Sequence, residues 1–342
     1  MNVLVAVDDI KGGGGIKRLV IGRNLCQSKT IKTMNSKQLL SRRDFVGALA
    51  AAGSAWAWEA SAAGADEPAA STRFPLLVFS KAFQHLDYAA TADLVAEVGW
   101  DGLECPVRRG GQVVPERVED DLPKLVAALK KCQRDLAIIT TDIRSATDPF
   151  TERVLRAAGR LGIRRYRLGP MRYREDRPLP DQFREVRAQL RDLAALNKEL
   201  GLTACFQNHS GRDTMGAPVW DIYEMIQGLD PRQVGACFDI GHATVEGGYA
   251  WPLHARLMEP SIQAVYVKDF VWKKSGPGWE AAWCPLGEGM IDARFFSWLK
   301  KTAFRGPISQ HFEYALGDRP EMVRYFRQDL AKLKAWLAGK AG

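Results

Sequence analysis

The sequence predicts an α/β fold of the (β/α)8 TIM barrel type, preceded by a disordered N-terminal export signal. Three observations predict the barrel. From residue 75 onward, short apolar runs alternate with helical stretches eight times. The helical stretches carry apolar residues at i, i+3 and i+4, as in Leu122, Leu125, Val126 and Leu129. No G-x-G-x-x-G follows the first run, which weakens the alternative of an open, doubly wound nucleotide-binding sheet.

Taken in order, "PLLVFS" at 75–80 precedes "DYAATADLVAEVG", and "DGLECPV" at 101–107 precedes "RVEDDLPKLVAALKKC". "LAIITT" at 136–141 precedes "FTERVLRAAGRLG", and "RRYRLG" at 164–169 precedes "FREVRAQLRDLAALNKELG". "LTACFQ" at 202–207 precedes "VWDIYEMIQGL", and "VGACFDI" at 234–240 leads to a short helical segment near 252–259. "QAVYVKD" at 263–269 is followed by a long loop and "ARFFSWLKKT"; "PISQHF" at 307–312 precedes the closing helix "PEMVRYFRQDLAKLKAWLAG". The loop at 270–289 contains Trp272, Trp279 and Trp283. It reads either as a lid whose indoles stack on a ligand or as a loop packed by them.

The first 65 residues are set apart. They hold nine Lys/Arg against four Asp/Glu, so most of the net charge of +8 lies there. Arg42-Arg43, an apolar Ala/Gly-rich run and Ala63-Gly64-Ala65 resemble a twin-arginine (Tat) export signal over 34–65. Residues 1–33 read as a mis-assigned extension, 66–74 as a linker and 75–338 as the barrel. The resemblance implies engagement of the Tat export machinery and a periplasmic or otherwise exported protein. The apolar run is too short to stay in a membrane after cleavage. No basic block interleaved with aromatics argues for nucleic acid. Six scattered cysteines without a CxxC pair argue against a zinc-thiolate site or a disulfide framework.

Side chains alternate along a strand, and the more apolar face should pack on the helices. That test turns Glu104, Gln207, Asp239, Tyr266, Lys268, His311 and Glu313 into the barrel, at strand ends that share one mouth. His209 and His242 follow two of those ends. Structural readings compete for several of them. Asp239 could cap the following helix, Glu104 could pair with Arg108, Arg109 or Lys268, and Lys268 could pair with Asp269 or Glu288.

"GLECPV", "FQNHSG", "FDIGHA", "VYVKDF", "PLGEG" and "HFEY", in this order, resemble the xylose isomerase-like TIM barrels of the sugar phosphate isomerase/epimerase superfamily. The resemblance implies a divalent metal, Mn, Zn, Co or Mg, held by a Glu, an Asp, a His and a Glu from strands five to eight. Carried over, Asp239 matches, but Gln207 stands for the first Glu, Tyr266 for the His, and His311 for the last Glu. Gln207, Asp239 and His311 are therefore the expected metal ligands. Glu104, His209, His242, Lys268 and Glu313 are the expected catalytic set. The implied activity is isomerisation or epimerisation of a sugar or sugar derivative, by metal-assisted proton transfer through an enediolate. The alternatives are a lyase acting on a keto-glycoside and a non-catalytic sugar-binding barrel.

Overall fold

The computed structural model of the chain describes residues 74–340 and two two-residue strands, Val5–Ala6 and Val20–Ile21, which pair antiparallel. Contacts divide the chain into Met1–Glu67 and Pro68–Gly342. The expected extension, export signal and linker fall outside the described residues, apart from that strand pair and Phe74.

Eight parallel strands close into a barrel. They are β1 (Leu76–Phe79), β2 (Gly102–Pro106), β3 (Asp135–Thr140), β4 (Arg165–Arg167), β5 (Thr203–Gln207), β6 (Val234–Asp239), β7 (Ile262–Val267) and, after a two-stranded excursion, β10 (Ile308–Gln310). The last strand pairs with both β7 and β1, which removes the free sheet edge. The helices between them are α1 (Tyr88–Val98), α2 (Val118–Lys131), α3 (Thr151–Arg160), α4 (Leu179–Leu200), α5 (Val219–Ile226), α6 (Ile240–Gly247), α7 (Trp251–Met258), α8 (Arg294–Leu299) and α9 (Arg319–Leu337). Local chemistry sets their ends. Asp87 accepts from the Ala90 amide at the start of α1, and Gly99 ends that helix at φ +94°. Among the described residues no helix is long and apolar enough to cross a membrane.

The predicted faces appear as two separate cores. Ala204, Phe206, Ala236, Phe238, Val265 and Val267 pack outward with the helices. Leu77, Ile138, Cys205, Cys237, Ala264 and Tyr266 fill the barrel interior. This inner cluster is small, and buried polar groups continue it toward the C-terminal mouth. Glu104, Thr140, Gln207, Asp239, Ser309 and His311 are all buried.

Two segments differ from expectation. The long loop after β7 contains an antiparallel hairpin, β8 (Asp269–Ser275) with β9 (Gly278–Cys284). Gly276, at φ +55°, and Pro277 make its turn. α6 begins directly after Asp239, where the sequence placed a helix only near 252–259. Asp239 starts it by accepting from the His242 amide at 3.0 Å.

Candidate functional site

The mouth is assembled from the ends of β2, β4, β5, β6, β7 and β10. Asp239 is at its centre. Asn208 grips its backbone from both sides, donating Nδ2 to the Asp239 carbonyl at 2.8 Å and accepting from the Asp239 amide at 2.8 Å. With backbone and Oδ1 so held, Oδ2 has one direction to face. It accepts from Gln207 Nε2 at 2.8 Å and lies 3.5 Å from Lys268 Nζ. Gln207 Oε1 in turn accepts from Arg167 Nη1 at 2.7 Å. The orientation of the amide follows from its neighbours, because its donor end must meet the carboxylate and its acceptor end the guanidinium. Asp239 thus does what the structural reading expected, capping α6, and also anchors a polar chain of four side chains.

A second group lies beside it. His311 Nε2 is 3.0 Å from Glu104 Oε2, and Thr140 Oγ1 donates to Glu104 Oε1. Burial works to raise the Glu104 pKa. The His311 imidazole, Arg167 and the Thr140 hydroxyl overcome it and hold the carboxyl at about 2. Glu104 pairs with His311, and none of Arg108, Arg109 or Lys268 is its partner. Glu313 is further out, where burial is again outweighed, here by Lys268, Lys81 and His311, leaving it at about 2. It reaches Lys268 at 3.4 Å and Lys81 at 3.1 Å. Both carboxylates are ionised at neutral pH.

The histidines form the third group. His209 and His242 stack with ring centroids 3.9 Å apart, and Trp283 of the hairpin meets His242 edge-on at 5.1 Å. His242 Nδ1 shares a 2.8 Å hydrogen bond with Ser210 Oγ. Burial and the Lys268 ammonium depress both pKa values, that of His242 far more. Both rings are therefore neutral at pH 7. Lys268 Nζ sits 4.7 Å above the Trp283 ring, so the hairpin covers the same lysine that Asp239 and Glu313 hold.

All eight expected site residues come to this mouth, at two depths. Gln207, His209, Lys268 and Glu313 line an open cleft of about 280 Å³. A neighbouring cleft of about 350 Å³ lies under the hairpin, lined by His209, His242, Trp272, Trp279 and Trp283. Glu104, Asp239 and His311 are buried and line neither cleft. Arg167 and Asn208 were not singled out from the sequence. Arg167 had a signal, since it shares with Arg165 the face opposite outward-packed Tyr166 on β4.

The three expected metal ligands do not fit a divalent ion as arranged. Gln207 Oε1 is taken by Arg167, Asp239 Oδ2 by Gln207 and Lys268, and His311 Nε2 by Glu104. His311 Nδ1 and His242 Nε2 have no hydrogen-bond partner, but they stand in a site that already holds two fixed cations. A doubly charged ion would be opposed by both Arg167 and Lys268. Among the described residues no group of three or more His, Cys, Asp or Glu converges as a metal site.

Comparison with known proteins places the fold. A sequence model for the family described as "Xylose isomerase-like TIM barrel" matches residues 92–336. No curated protein matches the chain. Among solved structures, 3-keto-D-glucoside 4-epimerase from E. coli is similar at TM-score 0.61 and 16% identity, covering 77% of this chain and 100% of that one. D-psicose 3-epimerase with D-tagatose, from Clostridium cellulolyticum H10, is similar at TM-score 0.59 and 12% identity, covering 77% and 99%. The IOLI protein with a bound zinc atom is similar at TM-score 0.62 and 13% identity, covering 79% and 100%. At these identities the likeness shows the fold.

Proposed function

The chain belongs to the xylose isomerase-like TIM barrel family, and from that premise we propose that its mouth binds a sugar or sugar derivative and moves a proton beside the sugar's carbonyl. The observation that carries this reading is Lys268. Its ammonium is fixed on the cleft floor between Asp239 and Glu313, next to two neutral imidazoles.

Removing a proton next to a carbonyl leaves negative charge on the carbonyl oxygen, and a preorganised cation in a partly dry site stabilises that charge. Lys268 supplies the cation, with Arg167 behind it. Neutral His209 and ionised Glu313 border the same opening, and either side chain accepts a proton without first losing one. His242 fixes His209 by stacking, and Glu104 fixes His311 beneath. Return of the proton to the opposite face gives an epimer, and return to the neighbouring carbon gives an isomer. The sugar epimerases among the structural neighbours support a sugar as the substrate class. The twin-arginine pattern at Arg42-Arg43 supports export as the setting. A second reading, sugar binding without turnover, is favoured by Gln207 and Tyr266 standing where the family carries Glu and His.

The test is proton exchange. The protein is incubated in D2O with a panel of ketoses and 3-keto-glycosides, and deuterium at the carbon beside the carbonyl is followed by NMR. Exchange with an isomeric product supports the isomerase reading. Exchange with loss of a leaving group supports a lyase. Binding without exchange supports the second reading. Replacement of Lys268 by Met should slow exchange by about 100-fold, the usual cost of removing one charge-stabilising donor, with thermal unfolding measured alongside to establish that the variant folds.

A further inference from the structure

The cleft is far more positive than a neutral sugar requires. Lys81, Arg108, Arg167, Arg172 and Lys268 line it, with Glu313 as the one lining carboxylate and Asp239 beneath Lys268. Glu313 is already shared by the two lysines. Arg167 donates only to a neutral amide oxygen and is braced by the Phe79 ring, 5.6 Å from its guanidinium carbon. Arg108 and Arg172 have no hydrogen bond or ion pair through their side chains among the described residues. Arg108 is half-buried. Burial lowers its pKa first and Arg167 lowers it further, while Asp142, Glu104 and Glu313 oppose both from a distance.

Arg108 and Arg167 repel one another and are partly stripped of water, and no protein carboxylate pairs directly with either guanidinium. Hydroxyl groups would be met as well by neutral side chains. What does fit is an oxyanion, whose oxygens match the donor fork of Arg in a bidentate pair. Resting on the reading that this mouth binds a sugar, we propose that its ligand is an anionic polyol. The carboxylate or phosphate group is held by Arg108 and Arg172 with help from Lys81, and the polyol lies across Lys268 and His209. Of the two adjacent arginines in "VRRGG" at 107–111, Arg108 lines the cleft and Arg109 does not.

Isothermal titration at low salt with D-gluconate, D-glucose 6-phosphate and D-glucose tests the proposal. One added charge-assisted contact corresponds to an affinity advantage of about tenfold. At least one anion should bind that much more tightly than D-glucose, and the advantage should shrink as salt is raised. The two anionic arms distinguish a carboxylate site from a phosphate site. The double variant Arg108→Gln, Arg172→Gln should bring the anion-to-neutral ratio close to one. Its melting temperature should be unchanged or higher, because like charges have been removed, so misfolding cannot imitate the effect. If D-glucose binds as tightly as both anions, or if the advantage survives in the double variant, the anionic assignment is overturned while the sugar site stands. If none of the three probes binds, the anionic assignment falls, and the sugar reading is decided separately by the exchange test.

Discussion

At the scale of single residues, Gln207 explains why two near-identical strand ends carry different chemistry. β5 ends "ACFQ" and β6 ends "ACFD". Between a guanidinium donor and a carboxylate acceptor, an amide satisfies both sides without adding charge, and a carboxylate does not. A Glu there would place a second carboxylate against Asp239, an arrangement a bridging cation normally relieves. The amide was legible as a break from the family pattern, but its reason was not, because Arg167 arrives from β4 and no local pattern pairs residues 40 positions apart. Replacement of Gln207 by Glu is therefore expected to destabilise the metal-free protein by about 1–3 kcal/mol, the cost of leaving a buried polar pair mismatched. Thermal melts with and without Mn2+ check this. The variant should regain part of its stability on adding the ion, and wild type should not respond. Equal melting of both proteins would show that Asp239 tolerates a carboxylate and that the amide has some other cause.

At the scale of elements, the hairpin β8–β9 and the loop that follows depend on one side chain. Asp269 is buried and accepts from the backbone amides of Phe270, Gly287, Gly289 and Ile291. A side chain at Gly289 would collide with it, since a Cβ there would lie 2.3 Å from Asp269 Oδ1. The carboxylate thus closes the loop onto the end of β7, and the closed loop carries the hairpin with Trp283 over Lys268. The expectation that Asp269 pairs with Lys268 fails for this reason, as its lone pairs are already used by amides. Most barrel strands were readable because they are short apolar runs with a buried face, whereas β4 is Arg-Tyr-Arg and shows only Tyr166 packed outward. The hairpin was not readable, because its strands are mostly exposed and lack the alternation that burial of one face imposes. Replacement of Asp269 by Ala leaves those amides without their acceptor and is expected to cost about 3 kcal/mol. Limited proteolysis should show it first as cleavage within 270–290, before the barrel itself is lost. Protection of that segment equal to wild type would mean that the tryptophans hold the hairpin unaided.

At the scale of the whole molecule, the closing helix is tied to the loop that follows the hairpin through a carboxyl group held far from its usual state. Asp329 of α9 accepts from the Leu286 amide at 3.1 Å and from the Tyr314 hydroxyl at 2.9 Å. Burial raises its pKa to about 7; the two hydrogen bonds pull it down, and Glu288 and Asp269 push it up. The unfolded chain releases this proton near the ordinary carboxylate value, whereas the native state keeps it until about pH 7. Between those values the native state holds more protons, so its stability falls as pH rises, by on the order of 4 kcal/mol in all. The buried site responds in the opposite direction. Glu104 and Glu313, both held at about 2, give stability that is present above the ordinary Glu value and is lost as pH falls toward 2. Neutral His242 likewise favours the native state above its usual pKa and disfavours it below. The protein is thus caught between a mouth that acid weakens and a helix–loop joint that base weakens. Replacement of Asp329 by Asn keeps an acceptor for Leu286 and offers a donor to Tyr314, but it has no proton to lose. Melting temperatures measured from pH 4 to pH 9 should show the variant gaining on wild type as pH rises, with most of the gain complete near pH 8 and little or none at pH 4. A constant difference across that range would mean that Asp329 ionises in the native state much as it does in the unfolded chain, and the joint would then be ordinary packing with no part in the pH response.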